Sequence, residues 1–188
     1  MSAKEEIIDY YEHSEEIEKW LALKGETKYL QFAKLLKKNN IPVRWVSLKD
    51  TYRYDKRLLV NIFKYLSFFE EFLRAQIWNT NKSSYRRVEE YLLRKAIKEI
   101  IFIKDKILYS EFSINALEKN SDKINYLRNR VAHNKIILES EKSGVSIKDI
   151  LNAFKDCLPK SYQQNFVTDI NRCWCELSVP DELKINLS

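Results

Sequence analysis

Leu59-Val60-Asn61-Ile62-Phe63-Lys64-Tyr65-Leu66-Ser67-Phe68-Phe69-Glu70-Glu71-Phe72-Leu73-Arg74-Ala75-Gln76-Ile77 is the stretch that decides the fold. Leu59, Ile62, Phe63, Leu66, Phe69, Leu73 and Ile77 recur at spacings of three and four. At about 100° per residue they line one face, so the stretch reads as a long amphipathic helix starting near Asp55. Asn79-Thr80-Asn81 closes it. Composition extends the reading to the whole chain. The 188 residues contain two glycines and three prolines. All-β folds and doubly wound sheets need glycine for tight turns and phosphate loops, so both classes are disfavoured. An all-α helical bundle is expected.

The remaining segments punctuate as helices too. The first 24 residues read as one helix broken near Gly25, and Thr27 to about Lys38 as a second that stops at Asn39-Asn40-Ile41-Pro42. Residues 41–54 read as irregular, with Asp50 as a capping residue. A helix follows over about 85–107, and Ser113 and Ser121 are candidate N-caps of two shorter ones. A further helix spans Ser146 to Leu158, where Pro159 stops it. Ser161-Tyr162-Gln163-Gln164 fits a capping box for a last helix to about Leu177. The expected organisation is an N-terminal helical segment (1–45), one helical domain (46–178) and a loose tail (179–188). No repeat or linker divides the chain further.

Charge and cysteine usage bound the class of partner. The formal net charge is +6, which favours polyanions but equally suits a solvated basic surface. Cys157, Cys173 and Cys175 are an odd set without zinc-ligand spacing, and read as reduced thiols. No glycine-rich phosphate loop or ligand cluster points to a metal or other cofactor. The N-terminus is acidic where a secretory signal would be basic and then apolar, and no apolar run reaches membrane-spanning length. A cytoplasmic protein with no membrane partner is expected.

The residues with chemical content lie in Tyr126-Leu127-Arg128-Asn129-Arg130-Val131-Ala132-His133-Asn134. Ile124, Leu127 and Val131 share an apolar stripe, and His133 falls roughly 180° from Ile124 on an ideal helix. A core histidine would sit beside the stripe; this one points to solvent, a ligand or a second chain. Asn129 lies about 40° from His133, Arg130 about 60° and Arg128 about 140°. Arg128 must therefore curl around to act beside His133, whereas Arg130 is better phased. Tyr126 projects with His133 and can stack on a base or fill an interface.

Arg128, the polar follower Asn129 and His133 resemble the signature of the HEPN superfamily, an Arg followed by a polar residue with four to six positions between the Arg and a His; here four lie between. Leu-Arg-Asn-Arg-Val-Ala-His-Asn is also similar to part of Abi-type (abortive infection) proteins. These tend to carry an upstream Glu-x-x-Leu-Arg element, and Glu70-Glu71-Phe72-Leu73-Arg74 looks like it. The resemblance covers roughly residues 55–140. It implies a helical bundle that dimerises so that two Arg/His motifs meet, with Arg128, Asn129 and His133 catalytic. In many members it implies a metal-independent endoribonuclease; in others, binding of RNA or nucleotides alone.

RNA chemistry fits these residue types. The 2′-hydroxyl is a built-in nucleophile beside the scissile phosphate, and imidazoles, which ordinarily titrate near about 6.5, can take and return its proton. A guanidinium matches a phosphate edge and offsets developing charge. The expected function is an endoribonuclease leaving 2′,3′-cyclic phosphate, acting as a toxin or anti-phage abortive-infection effector, with RNA, a second copy and an antitoxin protein as partners. Arg130, Tyr126, Asn134, Glu70 and Arg74 are the candidate substrate-binding residues, although Glu70 and Arg74 at i, i+4 equally suit an ordinary helical ion pair. The alternative function is a non-catalytic module of the same fold that binds RNA or a protein. A basic stretch, Ser83-Ser84-Tyr85-Arg86-Arg87 with Arg94, Lys95 and Lys98, is either an RNA track or a solvated face.

Overall fold

Ser2 and Glu5 open the first helix as a capping box: the Ser2 amide donates to the Glu5 carboxylate at 2.8 Å and the Glu5 amide to Ser2 Oγ at 3.4 Å. The computed structural model describes residues 2–81, 88–107, 111–139 and 144–188. Their helices are α1 (Ala3–Glu6), α2 (Ser14–Lys24), α3 (Glu26–Lys38), α4 (Trp45–Asn81), α5 (Leu93–Phe102), α6 (Ile114–Ala132), α7 (Ile147–Cys157) and α8 (Lys160–Asn171). Three 3₁₀ turns complete the regular elements, none of which is a strand among the described residues. The protein is all-α, as its glycine-poor sequence predicts. No helix among the described residues is long and apolar enough to cross a membrane.

Several boundaries differ from the sequence reading. The first 24 residues do not form one helix, because Ile8 and Asp9 make long-range bonds and Tyr10–Glu12 close a 3₁₀ turn. The Ile8 amide donates to Val43 O at 3.0 Å, and Asp9 Oδ1 accepts from the Trp45 amide at 2.8 Å. That second bond caps α4, so α4 starts at Trp45 rather than near Asp55. Asp50 caps nothing locally; it pairs with Arg53 at 3.3 Å and accepts from the Ser178 amide at 2.9 Å. Ser113 does cap α6, accepting from the Ala116 amide at 3.1 Å, and Ser146 caps α7. Ser121 lies inside α6, which runs unbroken for 19 residues. The last helix ends at Asn171, and the chain beyond it is packed rather than loose. Leu183 and Leu187 are buried there, along with Val179 and Ile185.

The chain forms two compact units, Met1–Arg57 with Cys173–Lys184, and Leu58–Arg172 with Ile185–Ser188. In the first, Trp45, Tyr29, Phe32, Leu36, Ile17 and Leu48 are fully buried. The Tyr29 ring lies 5.8 Å from Trp45 and stacks on Tyr52 at 5.2 Å. In the second, Leu58, Ile62, Leu66, Phe69, Leu73 and Ile77 of α4 join Ile97 and Ile100, Leu117 and Ile124, and Leu151. Phe154 packs edge-on against both Phe69 (5.6 Å) and Phe166 (5.4 Å). Each such buried side chain contributes about 1.5–3 kcal/mol of transfer free energy. Within this unit α6 packs against α5 on one side and α7 on the other. That fixes the helix carrying the Arg/His motif.

The α4 stripe keeps its predicted position except at one edge. Leu58 and Tyr65 are buried, whereas Phe63 stays 58% and Val60 64% exposed. Phe63 is therefore a surface aromatic, and it lies beside the motif.

Candidate active site

Ile124, Leu127 and Val131 are buried along α6, as the apolar stripe requires. The opposite face is polar and open: Asn129 is exposed and Tyr126 half-buried, while Arg128, also half-buried, flanks the stripe. His133 is not in the helix but is its exposed C-cap, its amide donating to Asn129 O at 3.1 Å.

The turn that presents His133 is a Schellman closure. Asn134 takes the left-handed conformation at φ 49°, its amide donates to Val131 O at 3.0 Å, and the Lys135 amide donates to Arg130 O at 2.9 Å. Asn is among the residues that adopt this conformation at low cost. The Arg130 side chain then reaches back and donates to Ile136 O, with its guanidinium over the Tyr126 ring at 5.9 Å. Ile136 and Ile137 are buried just beyond and anchor the exit of the turn. Arg130 and Asn134, both candidate ligand contacts from sequence, thus shape the backbone that holds His133.

Arg128 occupies a different position. It lines a cleft of about 390 Å³ together with Leu92, Leu93, Arg94, Asp122, Asn125, Tyr126 and Asn129. It also lines a small pocket of about 80 Å³ with Phe63, Leu66, Ser67, Glu70, Val131 and Ala132. Arg128 therefore borders both hollows, and its flanking position on the helix is what allows this. Glu70 reaches the small pocket and pairs with Arg74 at 2.9 Å. Arg74 lines neither hollow; its Nε donates to Tyr91 O at 2.8 Å and ties α4 to the chain entering α5.

The structure thus brings Arg128, Asn129 and Tyr126 to one cleft, Glu70 to the adjoining pocket and His133 to the exposed end of the same helix. Asp122 and Asn125 are the cleft residues that sequence reading passed over. They stand two turns and one turn before Asn129 respectively on the polar face of α6, and that spacing of three and four was the available signal. Arg94 lies in the cleft wall, whereas Ser83-Ser84-Tyr85-Arg86-Arg87 falls outside the described residues. Among the described residues no group of three or more His, Cys, Asp or Glu side chains could hold a metal ion. No protein-family model, curated protein or solved structure matches this chain.

Proposed function

We propose that the second unit is a HEPN-type, metal-independent endoribonuclease that works as a homodimer. The observation that carries the reading is the placement of Arg128. Arg128 lines a cleft that also holds Asn129, Asn125 and Asp122, about one and a half turns before an exposed histidine held by a built turn. A phosphodiester in the cleft meets Arg128 and Asn129, while Leu92, 62% exposed, and Tyr126 offer apolar surface to a base.

In this mechanism one His133 imidazole takes the proton from the 2′-hydroxyl as that oxygen attacks the adjacent phosphorus. The bond to the 5′-oxygen breaks, and that oxygen receives a proton from the His133 of the second copy. The products are a 2′,3′-cyclic phosphate and a 5′-hydroxyl end. Arg128 offsets charge building on the non-bridging oxygens. Phe63 and Val60, exposed on α4 beside the small pocket that Arg128 lines, give a second copy an apolar surface to cover.

The test is incubation of the purified chain with mixed RNAs in excess EDTA, followed by analysis of the ends. Cleavage with cyclic phosphate ends, absent in His133→Ala of equal thermal stability, is the expected result. RNA binding without cleavage in either protein would replace the enzyme with a non-catalytic RNA-binding module. The wider role, a toxin or abortive-infection effector restrained by an antitoxin, rests on the sequence resemblance. It predicts that expression arrests host growth and that His133→Ala relieves the arrest.

A further inference from the structure

The first unit contains a second cleft, of about 400 Å³, with no counterpart in the proposed ribonuclease chemistry. Lys24 at the end of α2 and Arg53, Lys56 and Arg57 of α4 line it, together with the rings of Trp20 and Tyr52. None of the residues lining it is acidic. Its volume lies within the range of about 300–1,000 Å³ usual for small-ligand sites.

The cations and the rings are layered. Arg53 lies over Trp20 with its guanidinium carbon 5.3 Å from the ring centroid, and Lys24 lies 6.0 Å from the same centroid. Lys56 stands 5.7 Å from the centroid of Tyr52, which is itself stacked on buried Tyr29. Arg57 is held in place by two backbone carbonyls, Cys175 O at 2.8 Å and Cys173 O at 3.4 Å. Two acids temper the charge from outside the lining: Asp50 pairs with Arg53 at 3.3 Å, and Asp55 attracts Lys56. Even so, three cations within one turn and a quarter of helix repel one another, a cost a folded protein need not accept. Burial, with Lys28 nearby, also holds the Lys56 ammonium below its ordinary range despite Asp55. An anion in the cleft would relieve both effects.

The choice of anion follows from the shapes. Guanidinium forks match phosphate oxygens, and the rings of Trp20 and Tyr52 lining the same cleft give a flat aromatic base surfaces to stack on. Carboxylate ligands would use the charge and leave the planes idle. We infer that this cleft binds a phosphate group together with its neighbouring aromatic base, presented by a free nucleotide or by single-stranded nucleic acid.

A fluorescent single-stranded DNA 12-mer is a suitable probe, since without a 2′-hydroxyl it cannot be cut by the proposed ribonuclease. Anisotropy with the full chain should give saturable, salt-sensitive binding. Lys24→Glu combined with Lys56→Gln should weaken it about ten- to thirtyfold at 0.1 M salt and flatten the salt dependence by roughly two phosphate contacts. Arg128→Ala, which removes the phosphate contact of the proposed ribonuclease cleft, should lower RNA cleavage without weakening this binding, so that failure of one proposal can be told from failure of the other. Competition by ADP at low concentration identifies a free nucleotide as the ligand; competition by oligonucleotides alone identifies a strand. Should the double variant fold poorly, a bromouracil-bearing 12-mer crosslinked to the wild-type chain serves instead, with adducts expected at Trp20 or Tyr52. Absence of binding, unchanged affinity in a folded double variant, or adducts confined to other residues would overturn the inference.

Discussion

The Arg130 guanidinium donates to the carbonyl of Ile136, six residues further along, across the turn that exposes His133. The bond makes Arg130 a latch on the site. Arg130→Met should therefore lower stability by about 1–3 kcal/mol, the cost of losing a charge-assisted bond to a partly buried carbonyl. Arg128→Ala should leave stability nearly unchanged and cut RNA cleavage about a hundredfold or more. Urea unfolding and cleavage rates measured on both variants decide between them. If Arg130→Met kept full stability but lost cleavage, Arg130 would be a phosphate ligand and the latch would be wrong.

Asn134 carries the left-handed residue of the α6 closure, at φ 49°. Glycine adopts that conformation freely, so Asn134→Gly should unfold at nearly the wild-type urea concentration. A β-branched residue should pay about 1–2 kcal/mol there, so Asn134→Val should be measurably less stable and should misplace His133. Equal stability of the two variants would count against the observed turn.

Acid should weaken the first unit through Glu16. Lys49 and the Trp45 indole donate to its carboxylate, each at 2.9 Å, and these bonds hold it below its ordinary value of 4.5 against an opposing burial effect. A depressed carboxyl contributes stability above its unfolded pKa and loses it as pH falls through the folded value. The urea midpoints of wild type and Glu16→Gln should therefore differ at pH 7 and converge as the pH falls below 4.5 and through the lowered folded value. A gap that persists into acid would contradict the ion pair.

Thiol reactivity should separate the cysteines. None of the three forms a disulfide; Cys157 and Cys173 are buried and Cys175 is half-buried. Burial, reinforced by Asp156 and opposed by a bond with Asn120, pushes the Cys157 thiol up to about 12. Almost no thiolate exists there at neutral pH. A raised thiol contributes stability below its ordinary 9.0 that is lost as pH climbs toward 12. Alkylation of native protein followed by peptide mapping should label Cys175 first and Cys157 only on unfolding. Early labelling of Cys157 would refute its burial.

Local patterns were legible wherever the cause is local. Scarce glycine and the three-and-four spacing of Ile62, Leu66, Phe69, Leu73 and Ile77 specify an all-α chain, because helix bonds and stripes depend on near neighbours. The Ser113 and Ser146 caps, the outward face of Asn129 and the exposure of His133 follow from the same short-range rules. The start of α4 does not, because its cap is Asp9, 36 residues away. Nor does the exposure of Phe63: helical phase puts it at the edge of a stripe, and only the packing of neighbouring helices decides which edge is covered. Arg128 and Arg130 show the same division most clearly. Ideal helix angles favoured Arg130 beside His133, yet the helix ends there and a backbone carbonyl takes its guanidinium, leaving Arg128 on the cleft. Sequence alone determined which residue types gather at the end of α6. Tertiary structure decided which of them line a cleft, because hydrogen-bond partners and cavity walls come from segments that no local pattern can see.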